Sequence, residues 1–134
     1  MKAPREPGPL ACNQVPAHIL VVEDEFLVRS SIAGVLRDKG AFVAEAADAD
    51  EAWRYLAADN PLDLVFTDHR MPGSMTGAQL AARIRAEYPN VDVVIASGLS
   101  SDVEWTEPVL RKPYPLDQTA VELMRRALGA RRKR

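Results

Sequence analysis

Four short apolar runs in this chain each end on a polar residue, and that repeated pattern restricts the fold more than anything else in the sequence. Ile19-Leu20-Val21-Val22 runs into Glu23-Asp24-Glu25, and Leu62-Asp63-Leu64-Val65-Phe66-Thr67 runs into Asp68. Val93-Val94-Ile95-Ala96 ends in Ser97, and Val109-Leu110-Arg111 ends in Lys112-Pro113. Runs of this length and composition read as buried strands. Helix-type patterns lie between them, so the chain alternates strand and helix, the signature of a parallel sheet. In an open parallel α/β sheet the carboxyl ends of the strands converge on one crevice, where ligands bind. Carboxylates, a hydroxyl and a lysine meeting there point to a divalent cation and a phosphoryl group.

The pattern predicts a first strand over residues 18–23 and a first helix over 25–38, with Val28, Ile32, Val35 and Leu36 at helical spacing and Gly40 as its stop. Residues 42–46 fit a second strand. Asp48 can cap the next helix, in which Ala49, Ala52, Trp53 and Leu56 form one face, and Asn60-Pro61 ends it. The third strand is predicted at 62–67. Thr76 or Gly77 opens a third helix with Leu80, Ile84 and Tyr88 on one side. Residues 91–96 and 107–111 fit the last two strands. Pro115 stands near the start of a final helix, whose Val121, Met124 and Leu128 are expected to face the sheet. Too few residues separate Ser97 from the last strand for an ordinary crossover, so the fourth connecting helix is expected to be shortened or absent. The organisation predicted is a disordered lead-in at 1–16, one doubly wound five-stranded domain at 17–128 and a basic tail at 129–134.

Composition narrows the classes of function. With 134 residues, 47% hydrophobic and 27% charged, the chain reads as one ordinary globular domain. No apolar run approaches the length of a membrane span, and the proline-containing N-terminus lacks the apolar core of a signal peptide. The single Cys12 permits no internal disulfide, which fits a cytoplasmic location. Residues 1–124 hold 11 basic and 19 acidic groups, a net −8, whereas the last ten residues hold six basic groups and no acid. An acidic body argues against nucleic acid as the main partner. The basic end suits a helix C-terminus complementing its dipole.

The chemistry follows from the strand ends. A carboxylate such as Asp68 can act as a nucleophile toward phosphorus. Phosphoryl transfer needs charge neutralisation above all, and magnesium binds through carboxylates, waters and phosphate oxygens. Glu23, Asp24 and Asp68 can hold the metal with a backbone carbonyl just after Asp68. Lys112 offers a point charge to the phosphoryl oxygens, and Ser97 a hydroxyl. Each residue also has a plainer reading: Asp68 as a loop start or helix cap, Glu23-Asp24-Glu25 as a cap on the first helix through its dipole, Ser97 as a strand end, Lys112 as a surface lysine. Four polar residues on four strand ends favour the joint reading.

Ile19–Glu25, Leu64–Gly73, Val94–Gly98 and Leu110–Tyr114 together resemble the receiver domains of two-component response regulators, over about residues 17–128. The resemblance implies the flavodoxin-like strand order 2-1-3-4-5. It implies a phosphoryl group accepted on Asp68 from a histidine kinase or histidine phosphotransfer protein. It assigns Mg2+ to Glu23, Asp24, Asp68 and the Arg70 carbonyl, the switch hydroxyl to Ser97 and the phosphate contact to Lys112, and it implies a cis Lys112–Pro113 bond. In place of the aromatic usual three residues before the lysine stands Val109, with Trp105 and Tyr114 as substitutes or as packing. Arg70 can overhang the site and affect hydrolysis, and His69 can tune it; His18 reads as structural.

On this resemblance the chain is expected to be a stand-alone receiver that signals by binding an unknown output protein in trans, with a homodimer compatible, and not a turnover enzyme. A phosphorylation-independent binding module and a phosphate sink are the alternatives. A haloacid-dehalogenase-type phosphatase would need a second Asp where Arg70 stands. A flavodoxin-type carrier would need a Ser/Thr/Gly-rich loop where Glu23-Asp24-Glu25-Phe26 stands.

Overall fold

A computed structural model of the chain describes residues 15–98 and 108–132. Its strands are β1 (His18–Val22), β2 (Phe42–Ala46), β3 (Leu64–Asp68), β4 (Asp92–Ser97) and β5 (Val109–Arg111). The helices are α1 (Phe26–Asp38), α2 (Ala49–Ala57), α3 (Gly77–Glu87) and α4 (Leu116–Arg132). The strands form one sheet in the order β2-β1-β3-β4-β5, every pair parallel. This is the doubly wound order expected. The residues assigned to the lead-in at 1–14, including Cys12, and those of the fourth crossover at 99–107, including Trp105, lie outside the described residues.

Side-chain alternation along the strands makes two cores from one sheet. Ile19, Val21, Leu64, Phe66 and Val94 face α1 and α4, where Ile32, Leu36, Leu123 and Ala127 meet them. Leu20, Val22, Val65, Val93 and Ile95 face α2 and α3, where Leu56, Leu80 and Ile84 complete the layer. Covering both faces removes the central strands from water, so they read as continuous apolar runs.

Local signals set the helix ends. The Asp48 side chain accepts from the Glu51 N–H at 2.8 Å and caps α2. Thr76 and Gln79 form a reciprocal capping box on α3. α1 stops at Gly40, whose φ of 99° suits glycine and whose N–H returns to the Arg37 carbonyl at 2.9 Å. By contrast, Glu25 precedes α1 with no side-chain cap bond. Any capping of α1 by Glu23-Asp24-Glu25 is therefore through the helix dipole and not through a side-chain bond from Glu25.

α4 departs from expectation at Val121. Val121 is 53% exposed, and the buried stripe is Thr119, Ala120, Leu123 and Ala127, with Met124 and Leu128 packed partly against the core. The helix runs through Arg132, so residues 129–132 of the basic end belong to it. Arg131 holds this end in place. Its guanidinium reaches Asp63 at 2.7 Å, the Val15 carbonyl at 2.7 Å and the Pro16 carbonyl at 2.8 Å. Asp63 is itself buried and accepts the His18 backbone N–H at 2.8 Å. One ion pair thus joins the last helix to the start of β1 and the approach to β3. Among the described residues no helix is long and apolar enough to cross a membrane.

Candidate functional site

The sheet register carries the polar residues to one end. Val22 pairs with Thr67, Asp68 with Ala96, and Ser97 with Arg111. Glu23 therefore follows β1 beside the end of β3, and Lys112 follows β5 beside the end of β4. Ladder-type bonds continue past the strands: Glu23 N–H to the Ala46 carbonyl at 3.0 Å, His69 N–H to the Ala96 carbonyl at 3.0 Å, and Lys112 N–H to the Ser97 carbonyl at 2.9 Å. The loop backbone is thus held by the sheet, and the side chains take defined positions.

Asp68 is the last residue of β3 and is 7% exposed, so it is neither a solvated loop start nor a helix cap. Lys112 Nζ lies 3.0 Å from its Oδ1 and 3.2 Å from Oε1 of the equally buried Glu23. The other Glu23 oxygen accepts the Glu25 N–H at 3.1 Å. Asp24 is exposed, yet ligand oxygens of Glu23, Asp24 and Asp68 lie within 4.8 Å of one another. Ser97, 3% exposed, lines the same crevice, a cavity of about 350 Å³ shared with Asp68, His69, Arg70, Gly98 and Lys112. The peptide bond from Lys112 to Pro113 is cis.

Burial dominates the electrostatics. Desolvation pushes the Asp68 carboxyl above the ordinary carboxylate range, and the Lys112 ammonium and the His69 backbone N–H only partly offset it. Glu23 is raised in the same way, first by burial and further by the Asp68 charge. Lys112 is pulled down by burial, but the two carboxylates outweigh that and hold it above the usual lysine value. Burial and then the Glu23 charge push the Tyr114 hydroxyl up to about 12, while its ring packs edge-on against Phe66 at 5.4 Å. His69 is lowered by burial and by Arg70.

The three carboxylates fit a hard divalent cation. They offer oxygen donors alone, partly open to solvent, which suits magnesium with its retained waters better than a thiolate- or imidazole-seeking metal. The raised carboxyls fit it too, because two buried acids share a single lysine and a divalent ion would supply the missing positive charge.

Sequence reasoning missed the contacts of three residues. Arg29 donates from Nη1 to the Glu23 carbonyl at 2.8 Å and from Nε to Glu45 at 3.0 Å. The Thr67 hydroxyl donates to the Asp68 carbonyl at 2.9 Å. Gly77 donates its N–H to the His69 carbonyl at 2.8 Å, and a Cβ there would run into the Asp68 carbonyl oxygen and lie 2.8 Å from His69 Cα. An arginine one turn into a helix that follows an acidic cluster was the available signal for Arg29; a helix opening on glycine was the signal for Gly77.

The doubly wound sheet thus sets a buried aspartate against a lysine and an acidic pair in one crevice. The family model for the response regulator receiver domain matches residues 19–111, and the chain belongs to that family. It is 34% identical over 125 residues to the nitrogen assimilation regulatory protein NtrX of Azorhizobium caulinodans, covering 87% of this chain and 27% of that protein. The receiver domain from the hybrid histidine kinase CckA shares 34% identity at a TM-score of 0.70, covering 83% of this chain and 98% of that one. The response regulator protein TrrA from Thermotoga maritima, solved in complex with Mg2+ and BeF, shares 26% identity at a TM-score of 0.71, covering 81% and 96%. The chain therefore spans about a quarter of NtrX and nearly the whole of both solved chains.

Proposed function

We propose that the chain is the phosphoacceptor receiver of a two-component or phosphorelay system, with Asp68 as the accepting residue. The observation that carries this reading is the Lys112 ammonium 3.0 Å from the Asp68 carboxylate in a crevice with two further acids. An Asp68 carboxylate oxygen attacks the phosphorus of a phosphohistidine. The new P–O bond forms as the P–N bond breaks, and the leaving imidazole nitrogen takes a proton from solvent. Lys112 and the Ser97 hydroxyl bind the phosphoryl oxygens, which keeps the developing charge compensated. Glu23, Asp24, Asp68 and the Arg70 carbonyl would hold Mg2+, which when bound supplies positive charge to the transferring group.

The face beside the crevice supports a protein donor. Phe26 and Leu27, at the start of α1, are 64% and 75% exposed, and Leu116 at the start of α4 is 38% exposed. Leu27 and Leu116, with Val28, Pro113 and Tyr114, border an open groove of about 470 Å³ that reaches Lys112. Contiguous exposed apolar side chains mark protein-binding surfaces. On this reading a helix of a histidine kinase or phosphotransfer protein covers Phe26 and Leu27 and presents its phosphohistidine to Asp68.

A phosphotransfer profile tests the proposal. Radiolabelled phosphohistidine donors from one cell are offered to the parent and to Asp68→Asn. The expected result is rapid label transfer from a small subset of donors to the parent alone. Equal labelling of Asp68→Asn, or no labelling from any donor, contradicts it.

A further inference from the structure

We infer that Arg29 is a positioning residue for the cation site, holding the Glu23–Asp24 peptide in the orientation that turns Asp24 toward Glu23 and Asp68; this rests on the reading that those three carboxylates bind a divalent ion. Glu23 is fixed at both ends of its side chain, by Lys112 and by the Glu25 N–H. Asp24 is exposed, and among the described residues it is anchored by no such pair. Its direction depends on the peptide plane that precedes it, and the oxygen of that plane is the Glu23 carbonyl. Arg29 Nη1 donates to that oxygen at 2.8 Å.

A guanidinium can set a peptide plane only if it is itself held. Arg29 Nε is paired with Glu45 Oε1 at 3.0 Å, and the side chain is 16% exposed. Glu45 stands on β2 opposite Val21, two residues before Glu23. The planar fork therefore spans from a rigid strand to the loop, a job a lysine point charge does poorly. The Arg29 guanidinium carbon also lies over the Phe26 ring, 5.5 Å from the ring centroid. α1 starts without a side-chain cap, so the fork from Arg29 replaces the restraint that a capping residue would ordinarily place on this turn. Groups that orient metal ligands commonly change affinity by about tenfold or more when removed.

Arg37 supplies the control. It pairs with the other oxygen of Glu45 at 3.0 Å and donates to the Val43 carbonyl at 2.9 Å, with no bond to Glu23. Its removal costs the same strand an ion pair but leaves the loop alone. Calorimetric titration of the full chain with MgCl2, alongside thermal midpoints in chelator, compares parent, Arg29→Ala, Arg37→Ala and Glu45→Gln. The expected result is a magnesium affinity about tenfold weaker in Arg29→Ala, a smaller loss in Glu45→Gln, and parental affinity in Arg37→Ala even where its midpoint falls as far. Should Arg29→Ala fold poorly, Glu45→Gln against Arg37→Ala decides the same question. Parental affinity in Arg29→Ala and Glu45→Gln, or equal losses across the three variants, overturns the inference while leaving the cation site standing. A parent chain that binds no magnesium removes both.

Discussion

Lys112 Nζ lies 3.0 Å from Asp68 Oδ1 and, by the same ammonium, 3.2 Å from Glu23 Oε1. One cation thus serves two buried carboxylates that come from different strands. Removing it leaves both acids in a low-dielectric crevice with no counter-charge. Lys112→Ala is expected to lower stability in chelator by about 2 kcal/mol, below the range for fully buried pairs because the Lys112 side chain is 25% exposed. Urea unfolding at neutral pH measures this, and excess magnesium should restore part of the loss.

The same crevice sets a pH dependence. Asp68 and Glu23 both titrate above the ordinary carboxylate range in the folded state. In the window between the unfolded and folded values the native state binds more protons than the unfolded state, so stability falls as pH rises through it. Without metal, the thermal midpoint should be higher at the acidic side of that window than at neutral pH, once other acids are accounted for by difference. Asp68→Asn removes one of the two raised groups. Its midpoint in chelator at neutral pH should exceed the parent's, and the gap should shrink as pH falls. A parent-minus-variant difference that is independent of pH contradicts the electrostatic account.

Magnesium acts in the opposite direction. A ligand bound only by the folded state adds about 2.7 kcal/mol at a concentration one hundred times its dissociation constant. Differential scanning calorimetry should show the parent midpoint rising with magnesium and the Asp24→Ala midpoint staying flat. An equal rise in both removes Asp24 from the metal site.

Gly77→Ala tests the backbone contact under the phosphoacceptor. The added Cβ would meet the Asp68 carbonyl and His69 Cα, which are backbone atoms that cannot rotate away. Overpacking of this kind costs about 1–3 kcal/mol. The loop must shift, so the variant should also lose phosphorylation rate with a chemical phosphodonor. Parental stability and rate together would mean that the loop yields freely.

Arg131→Leu tests the join between the last helix and the start of β1. Asp63 is buried and takes bonds from Arg131 and from the His18 N–H. Stripping a partner from a buried charge costs about 3–5 kcal/mol, and that loss should appear in denaturant unfolding. The phosphorylation rate should stay parental in the folded fraction, because this end of the sheet is opposite the crevice.

Much of this architecture was legible because its signals are local. The strand runs, the Asp48 and Thr76 caps and the Gly40 stop each lie within a few residues of the element they define. Asp68, Ser97 and Lys112 stood out because each ends an apolar run. What failed depended on distance or on phase. Asp63 meets Arg131 68 residues away, a pairing that no local pattern in the sequence announces. In α4, Val121, Met124 and Leu128 repeat at the spacing of Ala120, Leu123 and Ala127, one residue out of step. Met124 and Leu128 still pack partly against the core, and only Val121 is turned out to solvent. Ala120 and Ala127 are fully buried in the core against the sheet, a placement that the size of the side chains does not report. Arg29 was hidden for a similar reason, since its carbonyl and carboxylate partners lie on a loop and on a neighbouring strand.

Intact-mass measurement after incubation with acetyl phosphate tests the central claim most directly. The parent chain with magnesium should gain a single phosphoryl group. It should gain none in chelator, and Asp68→Asn should gain none under either condition. A phosphoryl group on Asp68→Asn, or one on the parent that forms equally well without a divalent cation, would contradict the assignment of this crevice as a metal-assisted phosphoacceptor site.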